Sequence, residues 1–216
     1  MPSPEARAAV APYADSLSRP AAEVADELES FSVLLRKWQR VQNLVSRETL
    51  GGFWDRHVAD SMQLLPLLRP EDRTILDLGS GGGLPAIPLA IASKGARNFI
   101  LVEPNGRKAS FLRTVSRELQ LPLRVENRRA EELDPLDLPE IDVITSRALA
   151  PLAQLCAMAV PLFGPKTRAI LHKGREHVDE LAESGAVWHH DVLVTKSATD
   201  ERGVLLELTK LRLKIN

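Results

Sequence analysis

The chain has 216 residues, 44% hydrophobic and 26% charged, with a formal net charge of −1. That suffices for one domain and a modest extension, and it excludes a partner recognised through a global basic field, so any nucleic-acid binding rests on local patches. A single cysteine, Cys156, excludes an internal disulfide and fits a reducing compartment.

The first twenty residues are polar, with Ala and Pro, and lack the basic-then-apolar pattern of a signal peptide. They read as a loosely held lead-in to a cytoplasmic protein. From Ala21 the pattern turns helical: Val24, Leu28, Phe31, Leu34, Leu35, Trp38, Val41 and Leu44 recur at steps of three and four. A second helical stretch covers about Phe53 to Leu68. Residues 1–70 are therefore expected to form a helical extension, with 70–73 as a short linker.

After Thr74 short apolar strands alternate with helices. The strands are "TILDLG", "NFILVE", "LRVENR", "IDVITS", "TRAILHKG", "VWHHDVLVTK" and "GVLLELTKLRL". The helices are "AIPLAIASKG", "RKASFLRTVSRELQL", "LAPLAQLCAMAVPLF" and "VDELAESG". This alternation predicts an α/β fold, a mostly parallel sheet with helices on both faces, closed by a hairpin that adds one antiparallel strand. The charge-free run 78–93 carries four glycines and two prolines, too short and too broken for a membrane span.

The first strand enters the loop "DLGSGGGLPAIP". A dinucleotide loop wants G-x-G-x-x-G or G-x-G-x-x-A, and Gly81, Gly83 and Ala86 fit the second form. Asp77, at the strand end, would repel a pyrophosphate and favour a cation. The spacing Asp77-x-Gly79-x-Gly81-x-Gly83 is the acidic-first form that suits S-adenosylmethionine (AdoMet), whose methionine end carries an ammonium and a sulfonium. Glu103 ends the second strand, where a carboxylate can accept both ribose hydroxyls. It does not discriminate, because NAD and AdoMet share an adenosine ribose.

His57, Asp60 and Ser61 stand at i, i+3 and i+4 on one helix face. No spacing supplies a third metal ligand, so a hydrogen-bonded face holding the extension to the main domain is the expectation. Basic residues recur at Arg107, Lys108, Arg113 and Arg117, at Arg124, Arg128 and Arg129, and at Lys210, Arg212 and Lys214. Such runs are commonly solvated faces. Arg107 and Lys108 flank the expected pocket and are the better candidates for any nucleic-acid contact. Aromatic residues make up only 4% of the chain, which leaves little for base stacking.

The segments "LLRKWQRVQNLVS", "RHVADSMQLL", "DLGSGGGLPAIPLAIA", "LVEPNGRKASFL", "NRRAEEL", "DVITSRALAPL", "LHKG" and "ERGVLLEL" together resemble the bacterial small-subunit rRNA methyltransferase G family, also called glucose-inhibited division protein B. The resemblance runs from about Leu34 to Leu208. It implies a Rossmann-like class I methyltransferase fold with a seven-stranded sheet over 71–216, and AdoMet as cofactor with S-adenosylhomocysteine as product. It also implies methylation of N7 of guanine 527 in the 530 loop of 16S rRNA. The partner would be 16S rRNA or the assembling small subunit, and a monomer without metal is expected.

Residue by residue, Gly79 and Leu84 match cofactor positions and Glu103 the ribose acid. Ala130 and Glu131 match an adenine-contacting pair. Arg147 matches an arginine at the active-site mouth, a positioning group that also meets the cofactor. Its bland reading is a salt bridge to Glu131 or Asp77. Lys173 and Arg202 match basic positions that face RNA. Gln39 after Trp38, and Pro104 after the ribose acid, depart from the usual pattern, and Pro104 puts the ribose loop's geometry in doubt. Without the resemblance, a methyltransferase acting on a small molecule or protein, an AdoMet-binding regulator or, less favoured, a nicotinamide-dependent oxidoreductase would stay open.

Overall fold

A computed structural model describes residues 1–46 and 48–214. The N-terminal lead-in is ordered, contrary to the expectation of a loose segment. Residues Pro4–Val10 form α1, capped by Ser3, whose hydroxyl oxygen accepts the Ala6 N–H and whose O–H donates to Glu29 at 2.6 Å. Ala6, Ala9 and Val10 are buried, so α1 is held by burying small apolar groups against α2. α2, Ala21–Gln39, buries Val24, Ala25, Leu28, Phe31, Ser32 and Leu35, the face its spacing predicts.

The pattern predicts that this helix continues through Val41 and Leu44, yet it stops at Gln39. The Gln39 side chain accepts the N–H groups of Leu44 (2.9 Å) and Val45 (3.1 Å) and donates to the Val45 carbonyl at 2.8 Å. It thereby satisfies a loop's backbone in place of another helical turn. Val41 is left exposed, and Leu44 buries itself from the loop. The stretch after Phe53 is also broken up. It runs as a π-helix, Trp54–Ala59, then α3, Asp60–Met62, then a 3-10 turn, Leu65–Leu67, whose Pro66 cannot donate a helical hydrogen bond.

All seven expected strands form. They are β1 (Thr74–Leu78), β2 (Asn98–Val102), β3 (Leu123–Glu126), β4 (Val143–Arg147), β5 (Arg168–Lys173), β6 (Trp188–Lys196) and β7 (Val204–Leu213). Between them lie α4 (Ala86–Ala92), α5 (Gly106–Glu118), α6 (Leu152–Ala159) and α7 (His177–Val187). The sheet order is β3-β2-β1-β4-β5-β7-β6. β1 to β5 pair in parallel, and β7 inserts antiparallel between β5 and β6. This is the Rossmann-like, mostly parallel seven-stranded architecture of class I methyltransferases.

The strands alternate between two cores, as a period of two requires. Ile75, Phe99, Leu101, Val143 and Ile170 face one layer with α4, α5 and the N-terminal helices. Leu76, Leu78, Ile100, Ile144 and Leu171 face the other with α6. Residues 1–70 share the first of these clusters: the Phe31 ring lies 6.0 Å from that of Phe53 and 6.4 Å from that of Phe111 on α5. Near the far end of the sheet Arg168 is almost fully buried and donates to Asp72 and Glu207, each at 2.6 Å. Among the described residues, no helix is long and apolar enough to cross a membrane, and no group of three His, Cys, Asp or Glu side chains could hold a metal ion.

Candidate active site

The parallel strands direct their C-terminal ends to one edge, where an open α/β sheet places its ligand crevice. β1 and β4 are neighbours there, and the chain order reverses between them. β1 leads straight into the glycine loop, whose Gly79 and Ser80 N–H groups both donate to the Val102 carbonyl at 3.0 Å. Gly79 takes a φ of +69°, and a Cβ there would lie 2.6 Å from a methyl of Leu149. A Cβ on Gly82 would lie 3.0 Å from the Leu44 carbonyl oxygen. Bare backbone is needed at both positions, and both line a cleft of about 490 Å³.

Glu103 closes this cleft. It is buried, with Oε2 accepting the Gly81 N–H and Oε1 the Asn105 N–H, each at 2.8 Å. A carboxylate has about four acceptor sites, so each oxygen keeps one for a hydroxyl. Pro104, the departure noted in the ribose loop, lines the same cleft without displacing Glu103. The ensemble fits AdoMet: a cradle without side chains, a paired acceptor for vicinal hydroxyls, and a volume within the range of small-molecule sites.

Asp77 sits beneath the loop and not in the cleft wall. It is fully buried, Oδ1 accepts from the Thr145 hydroxyl at 2.7 Å, and Oδ2 has no partner among the described residues. Burial pushes its pKa up to about 7 against the opposing Ser80 and Thr145 hydroxyls and the Arg147 charge. The loop positions Gly79, Gly81 and Leu84 line the cleft, while Gly83 turns inward to α4 and α5. Lys108 lines it too, and Arg107 is exposed beside it, its carbonyl accepting from Gln42 at 3.3 Å.

Ala130 and Glu131 lie outside the wall. Ala130 packs on the second core and Glu131 is exposed.

Arg147 ends β4 and stands between this cleft and a second one of about 460 Å³. Its partner is neither Glu131 nor Asp77, as its bland reading would have it. Nη1 donates to Asp60 Oδ2 at 2.7 Å and to the Arg56 carbonyl at 3.1 Å, and Nη2 donates to His57 Nδ1 at 2.8 Å. A guanidinium only donates, so Nδ1 accepts, and the proton on His57 Nε2 points to Thr49 Oγ1 at 3.0 Å. Burial and then the neighbouring Arg147 charge lower His57 to about 4, so it is neutral at pH 7.

Asp60 shows how the "RHVADS" face joins the extension to the sheet. Burial would raise its pKa, but His172, the Thr199 hydroxyl and Arg147 outweigh that and hold it below the usual carboxylate range. Its Oδ1 accepts from Thr199 at 2.7 Å and from Gln63 at 2.8 Å. The buried Ser61 donates to the His57 carbonyl at 2.6 Å and faces neither cleft.

The second cleft holds a surprise for the basic residues. Lys173 lines it, yet its Nζ is committed to Glu180 at 2.6 Å and the Ala150 carbonyl at 2.8 Å. Only 7% of the side chain is exposed, so it is an internal pair fixing the 148–152 loop and not a free contact for RNA. Glu180 also accepts the Leu152 N–H at 2.6 Å. Arg202 is exposed on the β6–β7 loop, next to cleft residues Asp200 and Gly203. Sequence reasoning missed Thr49, Thr145, Leu149 and His172. Their roles depend on which strands and loops meet, which no local pattern reports.

A family model described as rRNA small subunit methyltransferase G matches residues 25–204. The "Ribosomal RNA small subunit methyltransferase G" of Bartonella tribocorum is 42% identical over 192 residues, covering 88% of this chain and 89% of its own. That of Brucella ovis is 41% identical over 195 residues, covering 89% and 90%. Among solved structures, an AdoMet-dependent methyltransferase from Aquifex aeolicus is similar in fold, with a TM-score of 0.57 at 12% identity over 81% of this chain and 97% of that one. With a family match over most of its length and relatives above 40% identity, this chain belongs to the rRNA small subunit methyltransferase G family.

Proposed function

We propose that the protein methylates 16S rRNA with AdoMet, at N7 of guanine 527 in the 530 loop, and releases S-adenosylhomocysteine. Family membership supports rRNA methylation and sets the nicotinamide alternative aside. The observation that carries the donor site is the Glu103 carboxylate fixed across the bare glycine loop by the Gly81 N–H. In this reading Gly79, Gly81 and Gly82 present backbone to the ligand, Leu84 gives an apolar wall, and Glu103 accepts the ribose hydroxyls. Asp77, when ionised, favours the cationic methionine end. Ala130 and Glu131 enter only through the family resemblance. When bound, AdoMet supplies an electrophilic methyl group on a sulfonium.

The chain's remaining work is positioning. Guanine N7 carries an in-plane lone pair and no proton, so no side chain has to act as a base. Arg147 then serves as a donor at the mouth between the two clefts, and His57 orients it through a neutral ring nitrogen. Of the described basic residues singled out beside the clefts, Lys108, Arg107 and Arg202 are open to meet phosphates. Mass-spectrometric mapping of methylated guanines in rRNA from cells with and without the protein tests this reading. Loss of one N7-methylguanine in the 530 loop is expected, and an unchanged pattern would overturn the target.

A further inference from the structure

We infer that the second cleft is the pocket for the target base and that Asp60 is its guanine-specificity residue, its open Oδ2 acceptor site taking the 2-amino group. The inference rests on the proposed function and extends it to a face which that function does not use.

Methyl transfer needs the acceptor atom next to the donor cleft. The second cleft shares Arg147, Ala148 and Leu149 with the donor cleft, and Asp60 lines only the second. The polar order along the wall is therefore an ionised carboxylate, then a guanidinium 2.7 Å away, then the donor cleft. Guanine's rim runs in the same order: two N–H donors at N2 and N1, the O6 acceptor, and the N7 acceptor. With Asp60 accepting from N2–H₂ and Arg147 donating to O6, N7 stands past Arg147, on the donor side. Adenine has neither the 2-amino group nor O6, so it meets neither side chain.

The groups have the capacity this requires. Oδ1 of Asp60 is filled by Thr199 and Gln63, whereas Oδ2 takes only the Arg147 bond and keeps an acceptor site. Arg147 uses three of its five N–H groups on Asp60, Arg56 and His57, so among the described contacts one Nη2–H and the Nε–H remain. Both side chains are partly open, 16% for Asp60 and 18% for Arg147. Thr199 and Gln63 hold the Asp60 carboxylate and His172 its backbone carbonyl, Thr199 and His172 from segments distant in sequence, as a specificity group needs.

The test uses small ribosomal subunits reconstituted with 16S rRNA carrying guanosine or inosine at the methylated position. Inosine keeps N7, O6 and N1–H and lacks only the 2-amino group. In single turnover at saturating AdoMet, the wild-type protein is expected to be about tenfold to a hundredfold slower on inosine. In Asp60→Asn the guanosine-to-inosine ratio should fall to near unity, with S-adenosylhomocysteine affinity unchanged. The absolute rate of the variant also reflects its weakened hold on Arg147, so the ratio is the deciding quantity.

Equal wild-type rates on the two substrates, or an unchanged ratio in Asp60→Asn, would overturn the assignment of Asp60. Were the variant not to fold, the wild-type comparison alone decides. Absence of methylation on the guanosine subunit would overturn the function itself and the base pocket with it.

Discussion

Nη1 of Arg147 donates to Oδ2 of Asp60 at 2.7 Å, joining the end of β4 to the segment that precedes the sheet. The same guanidinium fixes the His57 tautomer, so one side chain holds both walls of the mouth between the clefts. Arg147→Ala leaves a carboxylate without its cation, and a stability loss of about 1–3 kcal/mol is expected by denaturant unfolding. Single-turnover methyl transfer should fall more steeply than S-adenosylhomocysteine affinity, since the residue positions the acceptor.

Glu103→Gln keeps one carbonyl oxygen and turns an NH₂ group toward a backbone N–H of Gly81 or Asn105. The loop loses its brace and the ribose one of its acceptors. Calorimetry should show S-adenosylhomocysteine affinity falling about tenfold to a hundredfold, with cooperative unfolding retained.

The buried Asp77, raised to about 7, binds its proton more tightly folded than unfolded. Such a group favours folding fully below its unfolded pKa of about 4 and loses that contribution as pH rises through 7, with a slope of up to about 1.4 kcal/mol per pH unit. Asp77→Asn removes this dependence. Its unfolding free energy relative to wild type should therefore rise between pH 4 and pH 7, and AdoMet binding at pH 8 should weaken because the negative charge is gone. A relative stability that does not change with pH would show that Asp77 titrates normally.

Arg168 makes the opposite case, a charge network with no part in either cleft. Removing it as Arg168→Ala strands Asp72 in the interior, and destabilisation of about 3–5 kcal/mol is expected. Donor-site affinity in the fraction that remains folded should match wild type.

These cases show what the sequence could reveal. The strands and the glycine loop were legible because a period of two and a run of glycines are local signals: Ile75 and Leu76 alternate between the cores as their spacing requires. The end of α2 was not, because it is set by the Gln39 side chain capturing Leu44 and Val45 in place of another helical turn. Lys173 was given an RNA-facing role by resemblance alone, and its pairing could not be seen because Glu180 meets it only after the chain turns into α7. The Asp60–Arg147 pair spans 87 positions and needs the sheet order before it can be seen. Nothing near Arg168 in sequence marks Asp72 and Glu207 as its partners.

The central claim is methyl transfer to guanine N7 without a base, and replacing the target guanosine by 7-deazaguanosine tests it most directly. The substitution keeps the Watson–Crick edge and O6 and puts carbon where the nucleophile stood. Assembled into a competent small subunit, the substituted RNA is expected to bind the protein as the natural one does and to accept no methyl group in single turnover. Methyl transfer to the 7-deaza subunit at a rate near that of the natural substrate would contradict the account.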